Sequence, residues 1–351
     1  MPTLTLEDIK ATIEVIFKQR VANLIKIGNK GKVLFCVKNT SLAENVSYRH
    51  RTFKSGVFTL ENEATLEKQI KQIFNGGAKE VHVLEYKSTL ATVVEQINLI
   101  EWNWIFTTDA DEQTTIATYC KENEKFGLVY NLASDSMFVV SCNNPSATLS
   151  DGTTITTVQL LPILMGVIAG CPYDKSISYK VFDEIKSVEL PASIALGQCT
   201  LYNEEEGVRV ASPVNTLLTL GENVTEDMKS ITIVEGMQRL KEDIIYAFRT
   251  GYKGKYKNKY DNQCLFFSAC NYYLEQLEEL GVLDPEYDNS VDVNVAKQRR
   301  IWIASGKDAD EINNLTDLEV KKLTYKNMVY PLVNAKFLDA IEGMSMEVEM
   351  Y

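Results

Sequence analysis

The sequence predicts an α/β protein, α+β over the whole chain, in which an N-terminal α/β domain with a mostly parallel sheet precedes a C-terminal α/β domain. Three observations support this prediction. Short apolar strands alternate with helices from Val33 to about Gly170, two amphipathic helices follow Ile231, and both chain ends alternate apolar with polar residues. Alternating strands and helices favour a parallel sheet covered by helices. With 351 residues, 45% of them hydrophobic, the chain is long enough for two domains, or for one large domain with extensions.

The first twenty residues show a period of two. Apolar Ile13, Val15 and Phe17 alternate with polar neighbours, which is typical of a strand with one buried face. Such a strand either pairs within its own domain or forms an arm that pairs elsewhere. The pattern leaves both interpretations open.

Between Val33 and Gly170, polar residues or glycines bound each apolar run. The predicted strands are VLFCV from 33, VHVLEY from 81, NWIFTT from 103, GLVYN from 127 and MFVVS from 137. The predicted helices cover residues 63–74, 89–98, 111–124 and 157–169. Asp109 and Glu112 have the spacing of a capping box at the start of the third of these helices.

This fold class contains many enzymes, but the sequence offers no group to carry catalysis. GNKGK at Gly28 precedes a strand instead of following one, so it is not in the context of a phosphate-binding loop. His82 lies within a predicted strand, and His50 lies in YRHRTF, which is interpreted as a polar, basic loop. The run Glu204 to Glu206 indicates a solvated hairpin tip. We therefore predict no catalytic residue, no cofactor and no metal site.

Charge and cysteine content limit the partners and the compartment. A formal net charge of −12 argues against binding to nucleic acid or to an anionic membrane. The seven cysteines form no CxxC pair, and no secretory signal is evident, so we expect reduced thiols in a cytoplasmic product. The longest apolar run, Leu160 to Ala169, is too short to span a bilayer.

After a hairpin at Glu206 and Gly207, a polar segment at 214–228 marks a predicted domain transition. Two helices follow, at 235–249 and 262–280, and the loop between them is basic. Five cations stand in or beside this loop without an acidic residue until Asp261: Arg249, Lys253, Lys255, Lys257 and Lys259.

The last part of the chain contains weaker signals and one clear pattern. Residues 291–304 fit a strand or a helix, TDLE at Thr316 predicts a capped helix, and residues 327–333 predict an edge strand limited by Pro331. At the C-terminal end, Met344, Met346 and Val348 alternate with polar residues. The chain therefore ends in a second strand pattern, which either completes the protein's own sheet or adds to a neighbour's.

Several stretches resemble one family along nearly the whole chain. ITIVEGMQRLKEDIIYAF from Ile231, then GYKGKYKNKYDNQCLFFSACNYYLEQLEELGVL and KFLDAIEGMSMEVEM, resemble the C-terminal domain of contractile tail sheath proteins of bacteriophages and of R-type, phage-tail-like bacteriocins. IEVIFKQRVANLIKIGNKGKVLFCVKN from Ile13 is similar to that family's N-terminal arm and first strand. FTLENEATLEKQIKQIFNGGAKEVHVLEY from Phe58 is similar to its strand, helix and Gly-Gly turn.

The resemblance implies a non-enzymatic subunit of a helical sleeve that contracts around a rigid tube. It implies an N-terminal arm at 1–20, an α/β domain at 21–215, a C-terminal domain at 216–342 that faces the tube and accepts arms, and a C-terminal arm at 343–351. The expected partners are other copies of the chain, the tail tube protein, and baseplate and tail-end proteins. Assembly is expected in the bacterial cytoplasm, before release as part of a phage tail or tail-like particle.

Specific residues follow from this resemblance. Ile13, Val15 and Phe17 at one end, and Met344, Met346 and Val348 at the other, are expected to form the buried faces of donated strands. The cations from Arg249 to Lys259 are expected to face the tube. Two other classes stay open at this point: an α/β enzyme of unknown chemistry, and a monomeric scaffold protein.

Overall fold

The computed structural model describes residues 25–28, 30–56, 58–193 and 196–348. Their contacts divide this part of the chain into two compact units. The larger unit contains residues 30–235 and 339–348, and the smaller unit contains residues 25–28 and 236–338. The boundaries that the sequence suggests for arms and domains stay predictions.

A six-stranded sheet forms the centre of the larger unit. Its strands are β1 (Lys32–Lys38), β2 (Tyr48–Lys54), β3 (Glu80–Tyr86), β4 (Trp104–Thr107), β5 (Phe126–Tyr130) and β6 (Val139–Cys142). Their spatial order is β2-β3-β1-β4-β5-β6, and all neighbouring pairs are parallel except the antiparallel pair of β2 and β3. The predicted α/β fold with a mostly parallel sheet is therefore confirmed.

Helices cover both faces of this sheet, and β1 shows the consequence for the sequence. Val33 and Phe35 enter the core on one face, where Phe35 stacks on Phe106 at a centroid distance of 4.4 Å. Leu34 and Cys36 enter the core on the other face. Because alternate side chains of a strand point to opposite faces, a strand buried on both sides must be apolar throughout. This is why VLFCV and the other predicted strands were recognisable.

The helices of the larger unit are α1 (Ala64–Gly76), α2 (Val94–Leu99), α3 (Gln113–Asn123) and α4 (Thr157–Gly170). α1 ends as predicted, with Gly77 at φ 116°, a left-handed conformation that suits glycine. α1 and α4 approach each other closely because Gly76 and Gly166 lack side chains, and a Cβ atom on either would collide with the backbone of the other helix. α4 is buried through most of its length and contains Pro162 in its second turn.

A smaller antiparallel sheet and a hairpin complete the larger unit. β7 (Ser146–Leu149) pairs with both β8 (Thr154–Thr156) and β9 (Ile185–Val188). β10 (Leu201–Glu204) and β11 (Gly207–Val210) form the predicted hairpin, with Gly207 at φ 133°. Arg209 binds Glu204 at 2.9 Å and Glu206 at 3.0 Å, so these carboxylates are paired at the hairpin tip.

The smaller unit is mainly helical and carries one two-stranded antiparallel sheet. Its main pair of helices is α5 (Ile231–Ala247), which begins in the larger unit, and α6 (Tyr260–Glu279). β12 (Ser290–Val293) pairs with β13 (Pro331–Asn334). The shorter helices are α7 (Val295–Ala304), α8 (Ala309–Asn314) and α9 (Asp317–Lys322), and the predicted Thr316 capping box begins α9. The ambiguous stretch at 291–304 thus contains a strand and a helix, separated by Asn294 as the helix cap.

Two local predictions were wrong. YRHRTF is not a loop but the edge strand β2, in which Arg49 binds Glu85 of β3. Glu112 does not form a capping box with Asp109, because its carboxylate accepts a hydrogen bond of 3.1 Å from the backbone N–H of Leu90. Asp109 alone caps this turn by accepting from the N–H of Asp111.

Candidate interaction surfaces

The C-terminal segment, here residues 339–348, leaves the fold with its apolar side chains exposed. Met344, Met346 and Val348 are 82%, 70% and 71% exposed. The segment has no regular secondary structure up to Val348, although its beginning is attached to the larger unit. Ser230 donates a hydrogen bond of 3.0 Å to Asp339, and Ser178 donates one of 3.0 Å to Glu342. Up to Val348 the predicted strand is thus not formed by the described residues, and the apolar side chains of Met344, Met346 and Val348 are exposed.

The N-terminal counterpart lies outside the described residues. This applies to Ile13, Val15 and Phe17, so their assignment to a donated strand stays a prediction.

The sheet of the smaller unit has one edge closed by a side chain. Asn271 of α6 accepts a hydrogen bond of 2.6 Å from the Val291 N–H and donates one of 3.3 Å to the Val291 carbonyl. The backbone groups of Val291 therefore point away from β13. In an antiparallel pair, two residues directly opposite each other either both hydrogen-bond to each other or both direct their N–H and carbonyl groups away from each other. Val333 lies opposite Val291, so its N–H and carbonyl point away from β12, on the outer side of β13. β13 thus presents the open edge.

The basic loop, here residues 249–259, is a structured feature of the smaller unit. It begins in a π-helical turn at Phe248–Tyr252, and the buried Tyr252 donates a hydrogen bond of 3.2 Å from its hydroxyl to the Leu265 carbonyl. Asn258 fixes the other end of the loop through bonds from its amide to the carbonyls of Lys326, at 2.9 Å, and Met328, at 3.1 Å. The loop therefore holds its side chains on a defined frame.

The five cations of this region are all exposed: Arg249, Lys253, Lys255, Lys257 and Lys259. In the part of the chain that the structure describes, none of them forms an ion pair, whereas Arg51 of β2 is held by Glu63 at 2.6 Å. Lys255 uses its ammonium group to bind the Thr250 carbonyl at 2.5 Å. The structure thus places uncompensated positive charge on one loop of a chain whose net charge is −12.

The two histidines, which sequence reasoning treated separately, form one pair. Nε2 of His50 lies 3.1 Å from Nδ1 of His82, and Nε2 of His82 lies 3.3 Å from Glu80. Thr52 also reaches Nδ1 of His82, at 3.1 Å. Burial lowers the pKa of both histidines. Interpreting YRHRTF as a loop gives no reason to expect His50 beside His82, because the two meet only when this stretch pairs with β3 as a strand.

A buried ion pair in the larger unit also escaped sequence reasoning. The ammonium group of Lys30 lies 2.5 Å from Oε2 of Glu235, and both side chains are 9% exposed. Trp104 donates from its indole nitrogen to Oε1 of the same carboxylate at 2.7 Å. Both charges are thereby partnered, which is the condition for burying them. Lys30 of GNKGK thus joins two distant parts of the chain.

Groups for bond-making chemistry are scarce among the described residues. No cluster of three or more His, Cys, Asp or Glu that could hold a metal ion occurs there. All seven cysteines are free thiols; Cys264 is half-buried and the others are buried. Burial raises the pKa of the Cys142 and Cys171 thiols to about 11, which disfavours the reactive thiolate. No described helix is both long and apolar enough to cross a membrane.

Comparisons with known proteins point to one family. Residues 223–350 match the family model of the phage tail sheath C-terminal domain. Over 362 residues the chain is 24% identical to the tail sheath protein of Clostridium phage phiCD119, a match that covers 96% of this chain and 98% of that protein.

Solved structures show the same fold. The helical sheath of the anti-feeding prophage in its contracted state is similar with a TM-score of 0.65 and 14% identity, over 94% of this chain and 96% of that one. The sheath tail protein of Desulfitobacterium hafniense is similar with a TM-score of 0.63 and 13% identity, over 77% of this chain and 91% of that one.

Proposed function

We infer that this chain, whose residues 223–350 carry a phage tail sheath C-terminal domain, is a structural subunit of a contractile tail sheath. Such a subunit polymerises helically around a tail tube, and contraction of the sleeve drives the tube through a target envelope. The observation that carries this assignment is the match to a phage tail sheath protein along 96% of the chain. The shared fold with contracted sheath structures supports it.

Strand donation is the proposed link between subunits. Two features support it: among the described residues, the strand pattern of the C-terminal segment has no strand partner, and the outer edge of β13 has none either. An added strand is stabilised in two ways: its backbone N–H and carbonyl groups form hydrogen bonds with the edge, and its apolar face is removed from water. The N-terminal arm, with Ile13, Val15 and Phe17 as its apolar face, is proposed to act in the same way.

The basic loop is proposed to contact the tail tube. Its support is electrostatic, since exposed cations that form no ion pair with the described residues are available to an acidic surface. Exposed ion pairs contribute only about 0–1 kcal/mol each, so a set of them can hold a sleeve on its tube and still separate during contraction. Contacts with baseplate and tail-end proteins are proposed from the family resemblance alone.

The subunit is proposed to work without catalysis. Contraction in an open helical lattice requires two sets of subunit interfaces that differ in free energy, with the difference stored during assembly. No nucleotide needs to be hydrolysed in such a scheme. Assembly in the bacterial cytoplasm, followed by release as part of a virion or tail-like particle, completes the proposal.

Truncation after Gly343 tests the role of the C-terminal segment. Concentrated full-length protein is expected to form tubular sleeves in negative-stain electron microscopy, whereas the truncated chain stays unpolymerised because it has no strand to donate. The full chain with Ser345→Ala, a change on the polar face of the segment, is the matched control and is expected to polymerise. Sleeves of normal length from the truncated chain would contradict strand donation, and a full-length chain that stays monomeric at every concentration would contradict the sheath assignment.

Charge reversal in the basic loop tests the tube contact separately. The triple variant Lys255→Glu, Lys257→Glu, Lys259→Glu is expected to reduce assembly on purified tail tubes, because attraction becomes repulsion. Neutralisation by Gln at the same positions should give an intermediate loss. The count of extended sheaths on tubes is the measurement, and an unchanged count for the Glu variant would remove this part of the proposal.

A further inference from the structure

The pair of His50 and His82 lies on one face of the six-stranded sheet of the larger unit. Thr52 of β2 is directly opposite His82 of β3, and His50 is two residues from Thr52 along β2. Alternate residues of a strand point to the same face, and diagonal neighbours on two strands are within reach of long side chains. β2 is an edge strand of the sheet, where His50 is exposed and His82 is buried. One ring is thus fixed within the fold, and the other is open to solvent.

The ring nitrogens that face each other have the separation of two ligands on one metal ion. Nε2 of His50 lies 3.1 Å from Nδ1 of His82. Two metal–nitrogen bonds of about 2.0–2.1 Å that meet at roughly 90–110° hold their nitrogens about 2.8–3.4 Å apart. The hydroxyl oxygen of Thr52, 3.1 Å from the same Nδ1 atom, is a third polar group at this point. Because His50 is exposed, its ring can turn so that both nitrogen lone pairs converge on an ion.

The other side of the His82 ring is arranged as in histidines that bind metals. Its Nε2 atom lies 3.3 Å from a carboxylate oxygen of Glu80, so Nε2–H can donate to Glu80 and leave Nδ1 unprotonated. Metal-binding histidines almost always donate their second ring N–H to a carboxylate, a carbonyl or water, which fixes the tautomer and makes the ligand nitrogen more basic. Lys32, a cation that acts on His82, is itself paired with Glu101 at 2.7 Å. The surroundings therefore supply a carboxylate that suits a bound cation.

We propose that His50 and His82 form a site for a divalent transition-metal ion of the kind that prefers nitrogen ligands, such as Zn²⁺. Imidazole suits Zn²⁺, Cu²⁺ and Ni²⁺, whereas Mg²⁺ and Ca²⁺ select oxygen ligands. Both rings bind as neutral imidazoles, with the proton of His50 on its own Nδ1 and that of His82 on Nε2, and no proton is released.

The proposed site is small and open. The described residues contain no cluster of three or more His, Cys, Asp or Glu that could hold a metal ion, so the protein supplies two nitrogens, and water and the Thr52 hydroxyl complete the coordination. Such a site exchanges its ion with solvent, and its effect is to fasten the edge strand β2 to β3. The sequence-based prediction of no metal site treated the two histidines separately and did not consider the pair. The inference does not depend on the proposed sheath function.

Zinc binding to the untagged full-length chain tests the site. Because the chain has only two histidines, a histidine tag would hide the signal. Titration of Zn²⁺ in competition with a chromophoric zinc indicator measures the affinity. His50→Gln is expected to lower it by about tenfold or more, since one of two nitrogen ligands is lost. Glu80→Gln should lower it by about tenfold, because the His82 ring loses its carboxylate partner. Tyr48→Phe, a change on the same face of β2 that removes no ligand, is the matched control and should bind zinc as the parent does.

Two further measurements identify the ligands and the effect of the ion. The electron paramagnetic resonance spectrum of bound Cu²⁺ is expected to show coupling to two imidazole nitrogens in the parent chain and to one in His50→Gln. Hydrogen exchange in the peptide that covers β2 should become slower when Zn²⁺ is added to the parent chain, and should not change for His50→Gln or when Mg²⁺ is added instead.

Three results would overturn the site. They are a parent chain that binds no zinc, a copper spectrum without imidazole nitrogens, and equal zinc affinity of the parent and His50→Gln chains. The last result would also arise if zinc were held by a thiol such as the half-buried Cys264. Zinc binding as expected in a chain that never forms sleeves would retain the site and reject only the sheath function.

Discussion

At the scale of single residues, the paired histidines make stability depend on pH. His82 can accept at Nδ1 from Nε2–H of His50 while its own Nε2–H donates to Glu80, and this arrangement needs the His82 ring neutral. Burial, the largest influence on both groups, lowers their pKa values below the usual 6.5. Glu80 opposes this effect at His82, whereas His50 and Lys32 reinforce it.

The sign of the pH effect follows from these shifts. The unfolded chain binds protons on its histidines as the pH falls through about 6.5, before the folded chain does, so acidification favours unfolding. We expect the full contribution of the pair to stability well above pH 6.5 and a progressive loss as the pH falls below it, with a limiting slope of about 1.4 kcal/mol per pH unit for each excess proton. Urea unfolding at several pH values measures it.

The double variant His50→Gln, His82→Gln provides the control, because it should remove the slope in that window whatever its absolute stability. A wild-type chain whose stability does not change between pH 7 and pH 5 would refute the expectation. The carboxylates with lowered pKa values, such as Glu85 and Asp109, start from 4.5 and 3.8 and lose their contribution at lower pH.

Residue partners show where local sequence patterns stop being informative. Glu112 and Asp109 have the spacing of a capping box, yet Glu112 caps the N–H of Leu90 instead. The partner of Lys30 is Glu235, which no short window of sequence contains. A local pattern records which bonds a residue can make, and the tertiary fold decides which of them it makes.

At the scale of elements, the crossing of α1 and α4 depends on two glycines. A Cβ atom on Gly166 would lie 2.9 Å from the Cα atom of Ile73 and closer still to its carbonyl oxygen. In an exposed helix, Gly→Ala stabilises by about 1 kcal/mol. Here we expect Gly166→Ala to destabilise by about 1–3 kcal/mol or more, because the backbones of two helices must separate.

The control for this substitution is Gly221→Ala. A Cβ atom at Gly221 has no neighbour within 4 Å, so its free energy of unfolding should change by less than about 0.5 kcal/mol. Thermal or urea unfolding measures both variants. A Gly166→Ala protein as stable as the parent would contradict the expected collision between the added Cβ atom and the backbone of α1.

A strand or helix can be predicted from sequence when the pattern of its apolar residues shows which of its faces are buried. Strands buried on both faces, such as β1, are continuous apolar runs and were found. β2 was missed because an edge strand needs no such run, and its arginines are satisfied by Glu85 and Glu63, which lie outside the strand. The smaller unit also has an apolar pocket lined by Ile245, Phe266 and Pro331, and it could not be predicted because α5, α6 and β13 contribute to it from separate parts of the chain.

At the scale of the whole molecule, charge works against self-association. Copies that each carry a formal charge of −12 repel one another, and salt screens this repulsion over about 8–10 Å at physiological ionic strength. Backbone pairing and apolar contact are less sensitive to salt. We therefore expect the critical concentration for sleeve formation to fall as NaCl is raised from about 0.05 to 0.5 M.

Light scattering against protein concentration measures this threshold. A threshold that rises with salt would indicate that attraction between unlike patches dominates assembly.

The shortness of β13 has a consequence for how a long sleeve could be built without errors. An edge of four residues that begins with proline can form only a few backbone hydrogen bonds with an incoming strand, each with a net contribution of about 0.5–1.5 kcal/mol. A single misplaced subunit would therefore detach quickly, whereas a correctly placed one would be retained by its further neighbours. Such reversible trial binding would let the growing lattice correct itself before each new ring fixes the one below.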